Sequence, residues 1–322
     1  MLSENSKLVS IIIPTYNRAD IIKDTINSVL KQTYQNFEIL VIDDGSTDNT
    51  KDVLNSIQDP RIFYFWQKNS GLPAKSRNLG ISKARGDYIA FCDDDDIWLP
   101  QKLEKQLEAF DKYPDILAVS TNRITFPDST DGTLKIKKDI RINLKRNLKS
   151  SMIFNSSVII KKSVIQAIGY LDENENLKAS EDWDYWIRFL HYKDKSILLL
   201  KKILLMYRID KKSISSRNSP KYLLDIFRRK SITYKKYPKY NPKYIKKISR
   251  RDLSIAKTSI FTYFLEKNKI TVNQFLKTSE ILFSHKLLML FRFFLKKISY
   301  YPFTYGKISR EILELFNSFF RS

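Results

Sequence analysis

A short apolar run, Tyr88-Ile89-Ala90-Phe91-Cys92, ends in four adjacent carboxylates, Asp93, Asp94, Asp95 and Asp96, before the chain turns apolar again at Ile97-Trp98. This junction constrains the fold more than any other stretch. Four like charges side by side repel, and no core accepts them unpaired. The run has the character of a buried strand, and open α/β sheets bind ligands at the carboxyl ends of such strands. Mg²⁺ or Mn²⁺, hard ions that prefer carboxylate oxygen, would remove the conflict. A solvated acidic turn is the plainer alternative, and the neighbouring segments decide between the two.

Those segments alternate. Residues 8–13 form a β-branched run expected to stop at Pro14, and residues 37–42 and 62–66 read as further strands. Residues 20–31, 47–57 and 75–83 carry helical spacing between them. The βαβ rhythm predicts an α/β domain with a mostly parallel sheet flanked by helices, a Rossmann-like alternation. Further on, residues 116–120 and 155–160 read as strands and 163–168 as a short helix. The lysine-rich stretch 128–149 is either a loop over an acceptor site or plain surface. Two strands end in acids, at Asp43-Asp44 and at the aspartate run, and both ends fall on one sheet edge.

Candidate ligand-binding residues gather at that edge. The first strand ends in Pro14-Thr15-Tyr16-Asn17-Arg18, where the Tyr16 ring could stack on a base or simply cap the core. Asp44 could accept a hydrogen bond from a base imide, or serve as a turn or helix-capping acid. No glycine-rich phosphate loop is present, so phosphate charge falls to a metal and to cations such as Lys75 and Arg77. Near residue 180 a helix opens on Glu181-Asp182 and carries Trp183, Tyr185, Trp186 and Phe189. Acids in a first turn are stabilised by exposed N–H groups, so capping by Ser180 is one reading and a catalytic carboxylate the other.

Charge divides the chain. Residues 211–322 hold 26 of the 57 Lys and Arg but only 6 of the 35 Asp and Glu, which places nearly all of the net +22 in the last third. The same third holds 21 of the 42 aromatic residues. Two domains are expected: residues 1–216, and a basic, aromatic-rich, all-helical domain over 217–322. Residues 285–299 combine an apolar stripe with a lysine and arginine rim, which suits an anionic membrane surface. A packed helical surface for a homo-oligomer is the competing reading, and no nucleic-acid-binding module is recognisable. A lone cysteine, Cys92, excludes a disulfide framework and fits a reducing cytoplasm. The polar first residues lack the pattern of a secretory signal, and no apolar window reaches the roughly 18 residues of a spanning helix.

Five stretches in order carry a resemblance. Residues 9–17, then Ile42-Asp43-Asp44-Gly45-Ser46-Thr47-Asp48, then Asn69-Ser70-Gly71 with Ser76-Arg77-Asn78-Leu79-Gly80, then the aspartate run with Trp98, and finally Ser180-Glu181-Asp182-Trp183 resemble family 2 inverting glycosyltransferases of the GT-A fold. The resemblance spans roughly residues 7–216. It implies that Tyr16 stacks on uracil, that Asp44 holds the ring N–H and that Arg77 lies near the nucleotide. It implies that Asp93 or Asp94 faces the ribose and that Asp95, with Asp93, ligates Mn²⁺ or Mg²⁺; four consecutive aspartates leave this register open by one residue. It implies Asp182 as general base, with Glu181 orienting or sharing the site and Asp184 structural. Where many relatives place a histidine, this chain has Asp210. The expected activity is inverting transfer of a sugar from a nucleotide-sugar, expected to be a UDP-sugar, to a glycan or polyprenyl-linked oligosaccharide, at the cytoplasmic face of the membrane. A nucleotide-sugar-binding protein without turnover and a sugar nucleotidyltransferase are the competing classes; the second would want a glycine- and arginine-rich phosphate loop that is absent.

Overall fold

The computed structural model of the chain describes residues 7–127, 133–149, 152–178, 180–192 and 196–209. The expected domain boundary at residue 216, the helices and membrane-binding stripe of the basic segment, Asp210, and part of the 128–149 stretch lie outside the described residues.

The first half alternates as expected: β1 (Val9–Thr15), α1 (Ile22–Leu30), β2 (Phe37–Asp43), α2 (Thr50–Asn55), β3 (Ile62–Trp66), α3 (Pro73–Lys83) and β4 (Tyr88–Phe91). Beyond the aspartates come β5 (Ile97–Trp98), α4 (Lys102–Lys112), β6 (Ala118–Phe126), β7 (Ile140–Ile142) and α5 (Leu144–Lys149). Then follow β8 (Ile159–Lys161), α6 (Lys162–Ile168), α7 (Glu181–His191) and β9 (Ile197–Arg208).

All nine strands join one sheet, in the order β3-β2-β1-β4-β8-β6-β9-β5, with β7 added against β9. Alternating side chains serve its two faces, as a period of two requires. Ile11, Ile13, Ile39 and Val41 pack with α1 and α4, while Ile12, Leu40 and Ile42 pack with α3, α6 and α7. The α3 helix lies so close to β1 that a Cβ on Gly80 would stand 2.5 Å from Ile12 Cγ2, so only glycine fits there.

Three expectations need correction. β1 does not stop at Pro14 but runs through it to Thr15, in register with β2. Pairing with β4 ends at Ile12↔Phe91, so the missing N–H at Pro14 falls on the β4 side of the strand, where the ladder has already ended, while β2 still pairs on the other side. The sheet is parallel over β3-β2-β1-β4 and again between β6 and β9, but β8 runs antiparallel to both β4 and β6, and β5 and β7 run antiparallel to β9, so the whole sheet is mixed. Residues 155–160 are a 3₁₀ turn leading into β8 rather than one strand. The described part of the 128–149 stretch holds β7 and α5.

Among the described residues no helix is long and apolar enough to cross a membrane.

Candidate active site

β1, β2 and β4 are parallel neighbours, so their carboxyl ends share one edge. Tyr16 stands there 46% exposed, an unburied ring beside the strand ends. Asn17, with a positive φ of 52°, latches this turn to the next: its backbone N–H donates to Ser46 Oγ (2.9 Å), and its Oδ1 accepts from Thr47 N–H (2.7 Å). Asparagine is among the few side chains that tolerate this backbone, which accounts for it at the turn.

The two acids ending β2 have different tasks. Asp43 closes the turn, accepting from Ser46 N–H (2.8 Å) and from the Tyr64 hydroxyl (2.7 Å). Asp44, buried, fastens the loop after β3: Oδ1 accepts from Gln67 Nε2 (2.6 Å), Ser70 N–H (3.1 Å) and the Ser70 hydroxyl (2.9 Å), and Oδ2 from Gly71 N–H (2.9 Å). Gln67 Nε2 also donates to Ser76 Oγ (3.1 Å), next in sequence to Arg77. A hydrogen-bond chain thus runs from the end of β2 into α3.

The aspartate run is held mainly through its backbone. Asp93 N–H donates to Ser156 Oγ (2.9 Å), and Asp94 O accepts from Thr25 Oγ1 (3.0 Å). Asp96, fully buried, accepts from Arg208 N–H (2.9 Å), and Asp95 O accepts from Arg208 Nε (2.8 Å), so the end of β9 is tied to the run. The carboxyls themselves are crowded. Burial and the neighbouring Asp95 charge push Asp94 up to about 7. Burial and Asp93 push Asp95 to about 6, and burial with Asp93 and Asp95 holds Asp96 well above the ordinary carboxylate range. Arg18 approaches from solvent, with Nε 3.5 Å from Asp94 Oδ1 and Nη2 3.8 Å from Asp95 Oδ2.

Arg77 joins this run to the late acidic stretch. From the buried face of α3, Nη2 donates to Asp93 Oδ1 (2.8 Å) and Nη1 to Glu181 Oε1 (2.9 Å). Burial opposes its charge, but Asp93 and Glu181 more than offset that, and its pKa lies above the ordinary arginine value. Glu181 opens α7, and Asp182 follows it. Ser180 holds the N-cap position, but its hydroxyl makes no cap bond and donates to Leu177 O at 3.1 Å. Burial and the Glu181 charge push Asp182 up to about 6. Asp184 is ion-paired with Arg188 (3.1 Å), in keeping with a structural role.

Aromatic side chains hold α7 in place. Trp186 packs edge-on against Phe91 of β4 (ring centroids 6.5 Å) and against Tyr185 and Phe189, and its indole N–H donates to Asn155 Oδ1 (3.0 Å). One element thus carries both the base candidate and the packing that sets its distance from β4.

The donor set of the run is oxygen only and crowded, a set a hard divalent cation would relieve. Among the described residues no three Asp, Glu, His or Cys side chains converge to hold an ion by themselves. The residues fit an ion that completes its shell from a bound diphosphate.

The structure brings Arg77, Asp93, Glu181 and Asp182 together, and links Asp44 to them through Gln67 and Ser76. Pro14 and Thr15 lie in β1 at the same edge, and Lys75 is exposed on α3. Arg18, Arg208, Gln67 and Ser156 also serve the edge. No spacing signal marks them; Arg18 alone could have been found, as a cation directly after the Tyr16-Asn17 turn.

The fold is GT-A-like. Staphylococcus aureus TarS, residues 1–349 in complex with UDP-GlcNAc, superposes with a TM-score of 0.63 at 19% identity, over 85% of this chain and 79% of that one, which shows a shared fold. The model of glycosyl transferase family 2 matches residues 10–169. An Escherichia coli protein, the UDP-Glc:alpha-D-GlcNAc-diphosphoundecaprenol beta-1,3-glucosyltransferase WfaP, is 34% identical over 186 residues, 57% of this chain and 70% of that protein. An uncharacterised glycosyltransferase of Rickettsia typhi is 32% identical over 212 residues, and the match spans 64% of its length, less than two thirds. The chain belongs to glycosyltransferase family 2.

Proposed function

We propose that the chain is a metal-dependent inverting glycosyltransferase of cell-surface polysaccharide synthesis, moving a sugar from a UDP-sugar to a hydroxyl of a glycan or polyprenyl-linked acceptor. The observation that carries this is the Arg77 bridge, which sets the aspartate run and the Glu181-Asp182 pair on one cleft edge. The UDP-GlcNAc complex of TarS and the activity of WfaP, on a diphosphoundecaprenol-linked acceptor, support the donor and acceptor classes.

In this reading the nucleotide lies along the edge, with its base on Tyr16 and near Asp44, and its diphosphate toward the aspartates. Asp182 takes the proton of the acceptor hydroxyl as the oxygen attacks the anomeric carbon, and the bond from that carbon to the phosphate oxygen breaks in the same displacement. One base suffices, because inversion needs no second carboxylate as nucleophile. A divalent ion held at Asp95 and Asp93 would supply Lewis-acid stabilisation of the leaving diphosphate. Arg77 keeps Glu181 oriented beside the base and balances its charge. The basic last third supports peripheral attachment to the inner face of an anionic membrane.

The test is a thermal-shift and turnover screen of nucleotide sugars with and without Mn²⁺. Mn²⁺-linked stabilisation by one donor, with transfer to an acceptor, is the expected result. Donor binding with hydrolysis and transfer both at background would make the chain a binding protein instead.

A further inference from the structure

One charged side chain at this edge has no role in that reaction. Arg18 is anchored through its backbone N–H, which donates to Thr50 Oγ1 at 3.0 Å, and its side chain reaches back over the aspartates. Nε stands 3.5 Å from Asp94 Oδ1 and Nη2 3.8 Å from Asp95 Oδ2. The arginine side chain is 30% exposed, whereas the two carboxyl-bearing side chains are 12% and 16% exposed, so the guanidinium lies over them from the solvent side. These contacts are longer than charge-assisted hydrogen bonds, which marks a counter-ion that can leave. The other two arginines here cannot move so freely. Arg77 is locked by two short bonds to Asp93 and Glu181, and Arg208 by Asp95 O and the Phe126 ring, 4.5 Å away.

A cation bound at Asp95 would enter the space that Arg18 faces, and two positive charges a few ångströms apart repel. We propose that Arg18 is a built-in counter-ion that neutralises Asp94 and Asp95 and competes with the divalent ion for Asp95, so that ion and diphosphate bind together rather than the ion first. The inference rests on the metal-dependent reading above. A diphosphate offers the guanidinium a bidentate anionic partner within reach of its flexible stem. Once Arg18 turns to phosphate, Asp95 is released to the ion. The coupling is reciprocal: nucleotide tightens metal by the factor by which metal tightens nucleotide.

The test measures free Mn²⁺ by electron paramagnetic resonance over the full chain, wild type and Arg18→Gln, with and without UDP. Without UDP the variant should bind Mn²⁺ roughly three- to tenfold tighter, the scale of a partly exposed ion pair. UDP should then tighten Mn²⁺ by a smaller factor in Arg18→Gln than in wild type, and Arg18→Lys, which keeps the charge, should retain most of the wild-type coupling. Mn²⁺ should also raise the melting temperature of Arg18→Gln more than that of wild type, a readout independent of turnover. Unchanged or weaker Mn²⁺ binding in the variant without UDP, or an undiminished UDP effect, overturns the proposal. Asp95→Asn separates the two readings. If it binds Mn²⁺ like wild type, the metal assignment itself falls; if it loses Mn²⁺ while Arg18→Gln changes nothing, only the counter-ion falls.

Discussion

Two groups of aspartates end the strands that flank β1 on one sheet edge, and their circumstances are opposite. Asp43 and Asp44 accept six hydrogen bonds from the turns they close, from Ser46, Tyr64, Gln67, Ser70 and Gly71. Asp94, Asp95 and Asp96 crowd one another, and burial with their neighbours pushes all three upward in pKa. The first group is satisfied by its own chain and builds the edge. The second is left with charge that a ligand can relieve. Identical side chains on one edge therefore divide into structure and chemistry by how completely the fold has already partnered them.

The largest effect should come from the strained side, at the base. Asp182→Asn should lower kcat by about a thousandfold, the scale of lost general-base catalysis, with donor affinity nearly unchanged by titration calorimetry. Wild-type turnover would remove Asp182 from that role. Arg77→Met should come next, since it strips the one cation from a buried acidic pair; urea unfolding should show a loss of about 3–5 kcal/mol. The contrast is sharpest between Asp44 and Asp95. Asp44→Ala should destabilise the metal-free chain by about 2–3 kcal/mol, because it strands buried donors. Asp95→Asn should stabilise it by about 1 kcal/mol near pH 8 while weakening metal-linked donor binding. The sign follows from the raised folded pKa: the carboxylate is disfavoured in the folded chain, so its penalty grows as pH rises through about 6. If both variants destabilise alike, the division between the two groups is wrong. The smallest effect is in the pH profile. With Asp182 raised to about 6, kcat should fall to about half its plateau near pH 6 and tenfold per unit below it, because only the deprotonated carboxylate can take a proton.

Much of this was legible before any coordinates. The β-branched runs of β1 and β2, and the acids that follow β2 and β4, set the parallel half and its reactive edge through local pattern alone. The mixed half was not legible. β9 reads Ile-Leu-Leu-Leu-Lys-Lys-Ile-Leu-Leu-Met-Tyr-Arg, a leucine-rich run whose period does not separate strand from helix. It pairs with three strands far away in sequence, and its register slips against β6 near Asn122. The Arg77 bridge was equally hidden, because its partners lie 16 and 104 residues away and only the folded sheet brings them together. At Ser180 the helix starts as local pattern suggests, but the hydroxyl turns back to Leu177, three residues earlier, instead of to the first turn.

Trp186 has a mechanical meaning beyond its packing. It sits about one helical turn, near 6 Å, from Asp182 along α7, and its ring is wedged against Phe91 on the strand that leads into the aspartates. The helix is a lever with the indole as its fulcrum, and a tilt of about 5° would carry the base roughly half an ångström. Displacements of that order near a reacting atom alter rates severalfold or more. Turnover can therefore be tuned by apolar substitutions that never touch a substrate.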